Sequence, residues 1–302
     1  MAFATVGSRQ TLLDVSPTTP RTSWGHPDLE GIWSTATVTP LQRPVGAREF
    51  LTEEEAAAVE REAREREQGW SEFDWGTRTV PTRRSSLIID PRDGRVPALT
   101  PEAERRQRAL QEARKVHPAD NPEDRNLWER CITLGVPTVM LPQVQNNHYQ
   151  IVQTPNYVVI LAEMIHDARI IPLDGRPHLP SHLREWLGDS IGHWEGDTLV
   201  VVTTNFTNET NFWGSGENLH IIERFTRTAS DILRYRLTVL DRTTFTRPWT
   251  VEFPVRRSDG PMYEYACHEG NYHVLEGILR GARAEESGAL GNQGRNPYFF
   301  TR

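Results

Sequence analysis

The 302-residue chain carries a net charge of −7 and 37% hydrophobic residues, which suits one large globular domain or two ordinary ones and excludes a disordered chain. No basic run is present that could neutralise a row of phosphates, so a general nucleic-acid binder is excluded. No segment approaches the roughly 18 apolar residues of a membrane-spanning helix. The first residues show no charged start followed by an apolar stretch, so the chain as written is expected in the cytoplasm.

In chain order, residues 1–27 are rich in Thr and Pro and are expected to form an extended arm. Gly31-Ile-Trp33 opens a short apolar strand. Thr52-Glu-Glu-Glu55 is a capping box, and the charged, alanine-rich helix it starts is expected to run to Gln68. Residues 86–90 read as a short strand ending in a Pro-Arg-Asp-Gly turn. Thr100-Pro101-Glu102 starts a second helix, with Pro at its first position and acids in its first turn. Asn121-Pro122 starts a third, which carries Trp128 and Cys131.

From about residue 136 the pattern turns to strands, expected at 148–154, 156–164, 168–172, 198–204, 219–228, 231–240, 248–256 and 261–267. Trp249, Val251, Phe253 and Val255 alternate with polar residues, as do Leu233, Tyr235, Leu237 and Val239. Short turns between these runs imply an antiparallel sheet, closed or sandwiched. Residues 1–135 would supply the arm and charged helices packed on the sheet, and 136–302 the main part. With 28–40 and 84–91 contributing strands, the whole forms one structural domain. The two cysteines, Cys131 and Cys267, are far apart and favour free core thiols over a single bridge.

Five of the ten histidines (His148, His166, His178, His182 and His193) fall within 148–206 among carboxylates, arginines and tryptophans. Titratable groups between apolar strands must be paired or functional, which marks this stretch as the candidate site. Glu163, His166, Asp167 and Arg169 end the most apolar strand, where a His166–Asp167 pair suits a general base. Arg169 alternatively pairs with Asp167, and Arg176 with Asp174. Glu223 points inward and is expected to meet an arginine across the sheet. Read as a strand, 263–269 puts Glu264 and His268 on one face and Tyr265 on the other. Trp186 and Trp194 would shape the cavity.

Gly31-Ile-Trp33 resembles the G-x-W of lipocalins, which implies an antiparallel lipocalin-like (calycin-type) barrel. With the charged helices read above, the expected fold is mainly β, such a barrel or a closed sheet with a helical N-terminal extension. Four segments, His166–His178, Trp186–Leu199, Glu223–Arg227 and Tyr263–Tyr272, resemble those of a widespread, mostly uncharacterised group of bacterial proteins. That resemblance covers the C-terminal half and implies family membership; many members look exported.

The resulting expectation is a cofactor-independent lyase, isomerase, hydratase or cyclase acting on a small, partly apolar molecule. His166, Asp167, Glu264 and His268 would move protons, with Arg169, Arg176, Trp186, Trp194 and Tyr265 binding substrate. No metal, cofactor, nucleic acid or membrane partner is expected, because no His-x-His, His-Glu-x-x-His, P-loop or Gly-x-Gly-x-x-Gly pattern occurs. The alternatives are a lipocalin-type binding protein for an apolar ligand and a protein-interaction module.

Overall fold

The computed structural model describes residues 19–68, 82–143, 145–210 and 212–287. Most of the expected N-terminal arm lies outside these residues. The molecule is mainly β: nine strands follow one another antiparallel and curl into a nearly closed barrel. They are β1 (Gly31–Ser34), β3 (His148–Gln153), β4 (Tyr157–Ala162), β5 (Ala168–Pro172), β6 (Asp189–Glu195), β7 (Thr198–Thr204), β8 (His220–Ala229), β9 (Ile232–Leu240) and β10 (Trp249–Arg257). Their order is β5-β4-β3-β1-β10-β9-β8-β7-β6, and β2 (Ile88–Asp90) pairs with β10. Two short strands thus share one edge of β10, with β1 at Arg256–Arg257 and β2 at Thr250–Val251.

With nine antiparallel strands the terminal pair, β5 and β6, must run the same way, so the barrel cannot close by continuing the antiparallel ladder. Side chains close the seam instead. Gly192 on β6 lies so near β5 and its sequel that an added Cβ would stand 2.9 Å from Ile171 and 2.7 Å from Leu173. Glycine is required there by close approach.

Inward-facing residues fill the barrel. Trp33, Ile151, Ile160, Val201, Tyr235, Leu237 and Phe253 are all buried, and Tyr235 sits 5.0 Å from the Phe225 ring and 5.3 Å from that of Phe253. The lower rim, where β1 begins, is sealed by Trp33. Its indole donates to Leu29 O (2.9 Å), and the Arg227 guanidinium lies 5.5 Å over its ring while bonding the carbonyls of Asp28 and Ser230. The G-x-W tryptophan therefore closes one end of the barrel. Val136, Val139, Met140, Phe206, Phe212 and Phe245 belong to the same core and plug the upper end.

Both charged helices form where their caps predict. In α1 (Glu53–Gln68), Thr52 N donates to Glu55 (2.7 Å) and Glu55 N donates to Thr52 Oγ1 (3.1 Å). In α2 (Pro101–Val116), Ala103 N donates to Thr100 Oγ1 at 3.1 Å. The third expected helix is a single 3₁₀ turn, Pro122–Asp124, after which Arg125 is extended. Residues 181–188, between Ser181 and β6, are turn and irregular chain with no helix.

The largest departure is at 261–267, where no strand forms. Both edges of β10 are already occupied, by β9 on one side and by β1 and β2 on the other. The chain instead doubles back, from Ser258 bonded to Ile32 O near the lower rim to Tyr263 bonded to Glu163 at the upper one. It then enters α3 (Cys267–Glu286). The cysteines are not free: Cys131 and Cys267 form a disulfide that staples the first residue of α3 to the upper-rim segment. Among the described residues no helix is long and apolar enough to cross a membrane.

Candidate functional site at the upper rim

Strands β4 and β5 meet in a tight hairpin, with Ala162 N donating to Asp167 O (2.9 Å). Its tip places two consecutive residues, Ile165 (φ 61°) and His166 (φ 56°), in the left-handed region. That region is disfavoured for any side chain and most of all for a β-branched one. Cys131, Asn146, Asn205 and Trp213 are the other non-glycine residues with positive φ among those described, and all belong to the same end of the molecule. Clustered strain of this kind makes the upper rim the candidate functional end.

The two sides of the hairpin tip carry different chemistry. On one side His148, which begins β3, offers Nδ1 to Glu163 Oε2 at 3.0 Å, and Glu163 Oε1 accepts from Tyr263 N at 3.3 Å. Glu163 is 1% exposed and His148 8%. Among the described residues His148 Nε2 has no protein partner, yet it is not sealed from the surface. Burial pushes the Glu163 carboxyl up, but the hydrogen bond and charge of His148 and the amides of Tyr263 and His148 outweigh it and hold it below its ordinary value. On the other side Asp167 accepts from Thr133 Oγ1 (2.6 Å) and Leu134 N (3.3 Å). Burial wins there and raises the carboxyl above its usual range.

The sign of the Glu163 shift gives a testable pH dependence. A carboxyl depressed in the folded state stabilises the fold fully above its unfolded value, about 4.3, and this contribution disappears as pH falls through the folded value. The stability gap between the parent and Glu163→Gln is expected to be widest above that range and to close on acidification. Urea titrations at a series of pH values would measure it; a pH-independent gap would contradict an ionised Glu163.

The predicted residues divide by location. His166 and Asp167 occupy the hairpin tip, Glu264 and Tyr265 follow Tyr263 past the dyad, and His268 starts α3 beside the disulfide. Glu264, His166 and His268 are exposed, and among the described residues no hydrogen bond joins His166 to Asp167. Glu264 and His268 do not share a strand face, since loop and helix replace the strand. Trp186, exposed, is tied to the upper end where Thr210 Oγ1 donates to its carbonyl (2.8 Å).

Arg176 and Trp194 lie at the opposite rim. Arg176 pairs with Asp174 (2.6 Å) and donates to Tyr157 OH (3.1 Å), which holds Asp174 down to about 2. Trp194 stacks on His26 with ring centroids 4.8 Å apart. A six-residue strand separates the rims by roughly 20 Å, so neither residue reaches the hairpin tip.

Arg169 is turned into the barrel and does not pair with Asp167. It grips Glu223 through Nη1 (3.0 Å) and Nη2 (2.5 Å), while Tyr235 OH donates to the same carboxylate at 2.9 Å. Ser190 and Thr203 accept from Nη2 at 3.2 and 3.3 Å. Burial would lower the guanidinium, but Glu223 keeps it above its ordinary value; burial and Glu223 push the Tyr235 hydroxyl well up. The cross-sheet arginine expected for Glu223 is therefore Arg169, and the pair is part of the barrel core.

His148 is one of the five histidines of 148–206, and nothing in its sequence position singles it out from the other four. The only available signal was a carboxylate and a histidine at facing ends of adjacent predicted strands, and that requires the register. Among the described residues no group of three or more His, Cys, Asp or Glu is placed to hold a metal ion.

Fold and rim together define a lipocalin-like barrel whose interior is filled and whose candidate site lies at the upper rim. Compared with family models, curated proteins and solved structures, the chain matches none.

Proposed function

We propose that this protein is a cofactor-independent acid–base enzyme of the lyase, isomerase, hydratase or cyclase type, acting on a small, partly apolar molecule at the upper rim. The observation that carries the proposal is the His148–Glu163 dyad. A sealed carboxylate fixes Nδ1 as the donor, which leaves Nε2, unsealed and without a protein partner among the described residues, as the basic nitrogen. Glu163 orients the ring, and Asp167, with its raised carboxyl, is suited to return a proton. The basic role thus passes from His166, which is exposed and hydrogen-bonded to no carboxylate among the described residues, to His148. The filled barrel favours turnover at the rim over lipocalin-type carriage inside the barrel.

His148→Gln keeps a hydrogen bond to Glu163 but removes the base. Parent and variant should be incubated with a metabolite extract and the mixtures compared by untargeted mass spectrometry. The parent is expected to deplete a compound and produce an isomer, or a product differing by one water, with the variant slower by on the order of 10²-fold or more. Equal rates in the variant would remove His148 from the chemistry. A ligand retained unchanged by both proteins would favour the binding-protein reading.

The Cys131–Cys267 bridge supports an oxidising compartment in place of the cytoplasm expected from the sequence, because cytosolic thiols are kept reduced.

A further inference from the structure

A cleft of about 1170 Å³ opens on the cap of the upper end, between α2, residues 123–138 and the loop 208–218. Two tryptophans on its walls are exposed, Trp128 at 48% and Trp213 at 39%. Trp213 and Gly214 form the two central residues of a tight hairpin: Phe212 N donates to Ser215 O (3.2 Å) and Ser215 N to Phe212 O (2.9 Å). Both central residues have positive φ, 55° and 92°. Such a turn calls for Asn-Gly or Asp-Gly. A tryptophan in its first central position is strained, and strain persists only where the surroundings enforce it. They do so here. Gln107 Nε2 donates to Trp213 O (3.1 Å) and Thr244 Oγ1 to Gly214 O (3.4 Å). The chain thus holds an indole at the cleft in a turn that a smaller polar residue would adopt more readily.

The remaining walls mix the apolar Leu110, Leu127, Leu134 and Phe212 with charged groups that balance, four arginines against four glutamates. The arginines are engaged: Arg125 with Glu129 (2.9 Å), Arg130 with Glu123 (3.6 Å), Arg106 with Glu102 (3.8 Å) and Arg114 with Asn126 (3.1 Å). Three of these four partners are carboxylates, and Glu209 and Glu217 add further negative charge, which disfavours a phosphate or carboxylate ligand. Paired guanidinium and carboxylate groups, together with the amides of Gln107, Asn208 and Asn218, offer both donors and acceptors without net charge. Aromatic faces flanked by such groups match a ring with an apolar C–H face and hydroxyls around its edge. We infer that the cleft binds a neutral oligosaccharide, stacked on Trp213 and Trp128 and hydrogen-bonded at its rim. This site is separate from the His148–Glu163 dyad and does not depend on its role.

The test is calorimetric titration of the full chain with soluble neutral gluco-, xylo-, galacto- and chito-oligosaccharides and one anionic series, oligogalacturonate. At least one neutral series is expected to bind, with affinity reduced about tenfold or more in Trp213→Asn and in Trp128→Ala. Trp213→Asn suits the turn but gives up the indole's packing on Phe212 and Trp249. Trp128→Ala, with its melting temperature measured beside the parent's, is therefore the variant whose loss of binding reads the site and not the fold. His148→Gln is expected to bind as the parent does. The inference is overturned if no neutral oligosaccharide binds, if both tryptophan variants bind like the parent, or if only oligogalacturonate binds.

Discussion

Glu223→Gln is expected to destabilise the barrel by about 3–5 kcal/mol, because it strands the Arg169 guanidinium in the core without its counter-charge. Glu223 is wholly buried, the Arg169 side chain is 3% exposed, and Arg169 Nε already has no hydrogen-bond partner. Ser190 and Thr203 cannot neutralise a full charge. Replacing both members, as in Arg169→Met with Glu223→Gln, should recover most of the loss, since apolar substitutes for a buried pair are often neutral or better. Denaturant titration of the two single variants and the double variant gives the coupling directly. A Glu223→Gln protein as stable as the parent would mean that the pair is not a buried ion pair. A double variant that recovers stability and keeps turnover would assign both residues to architecture.

Loss of the disulfide is the second large effect. The bridge spans 136 residues of sequence, and closing so long a loop restricts the unfolded chain strongly. Removing a native bridge costs about 2–5 kcal/mol. Cys131→Ser with Cys267→Ser is expected to lose that amount. The loss should be accompanied by faster amide exchange along α3, which is also tied near its start by Asn271 Nδ2 bonded to Glu129 O. Strands β7–β10 should remain the slowest-exchanging part of the variant, being laced to one another along nearly their whole lengths. Alkylation of the native, unreduced protein gives the counter-test: labelling of both cysteines would refute the bridge.

These effects bear on different readings of the polar residues. Arg169 and Glu223 look reactive in sequence, being charges set in apolar strands, but each satisfies the other. His148 and Glu163 also satisfy each other, except that one ring nitrogen is left over at the surface. That difference of one unpaired, unsealed atom separates a core ion pair from a candidate base.

The sequence determined what depends on neighbours along the chain. Alternation in 231–240 and 248–256 specifies β9 and β10 because side chains on a strand repeat every two residues. Thr52 with Glu55, and Thr100 with Pro101, specify helix starts because the capping groups lie within one turn. The inward direction of Glu223 follows from the same alternation.

Alternation failed at Tyr263, Tyr265 and Cys267, where the pattern reads as a strand but no sheet edge is free to receive one. Tertiary structure alone decided which residues meet. Arg169 reaches Glu223 across 54 positions, Cys131 reaches Cys267 across 136, and Tyr263 reaches Glu163 across 100. Alternation gives the face of each strand and not its neighbour, so register and closure belong to the folded barrel. The same holds for the rim, where His148 acquires a carboxylate only because β3 and β4 pair so that Glu163 N meets His148 O.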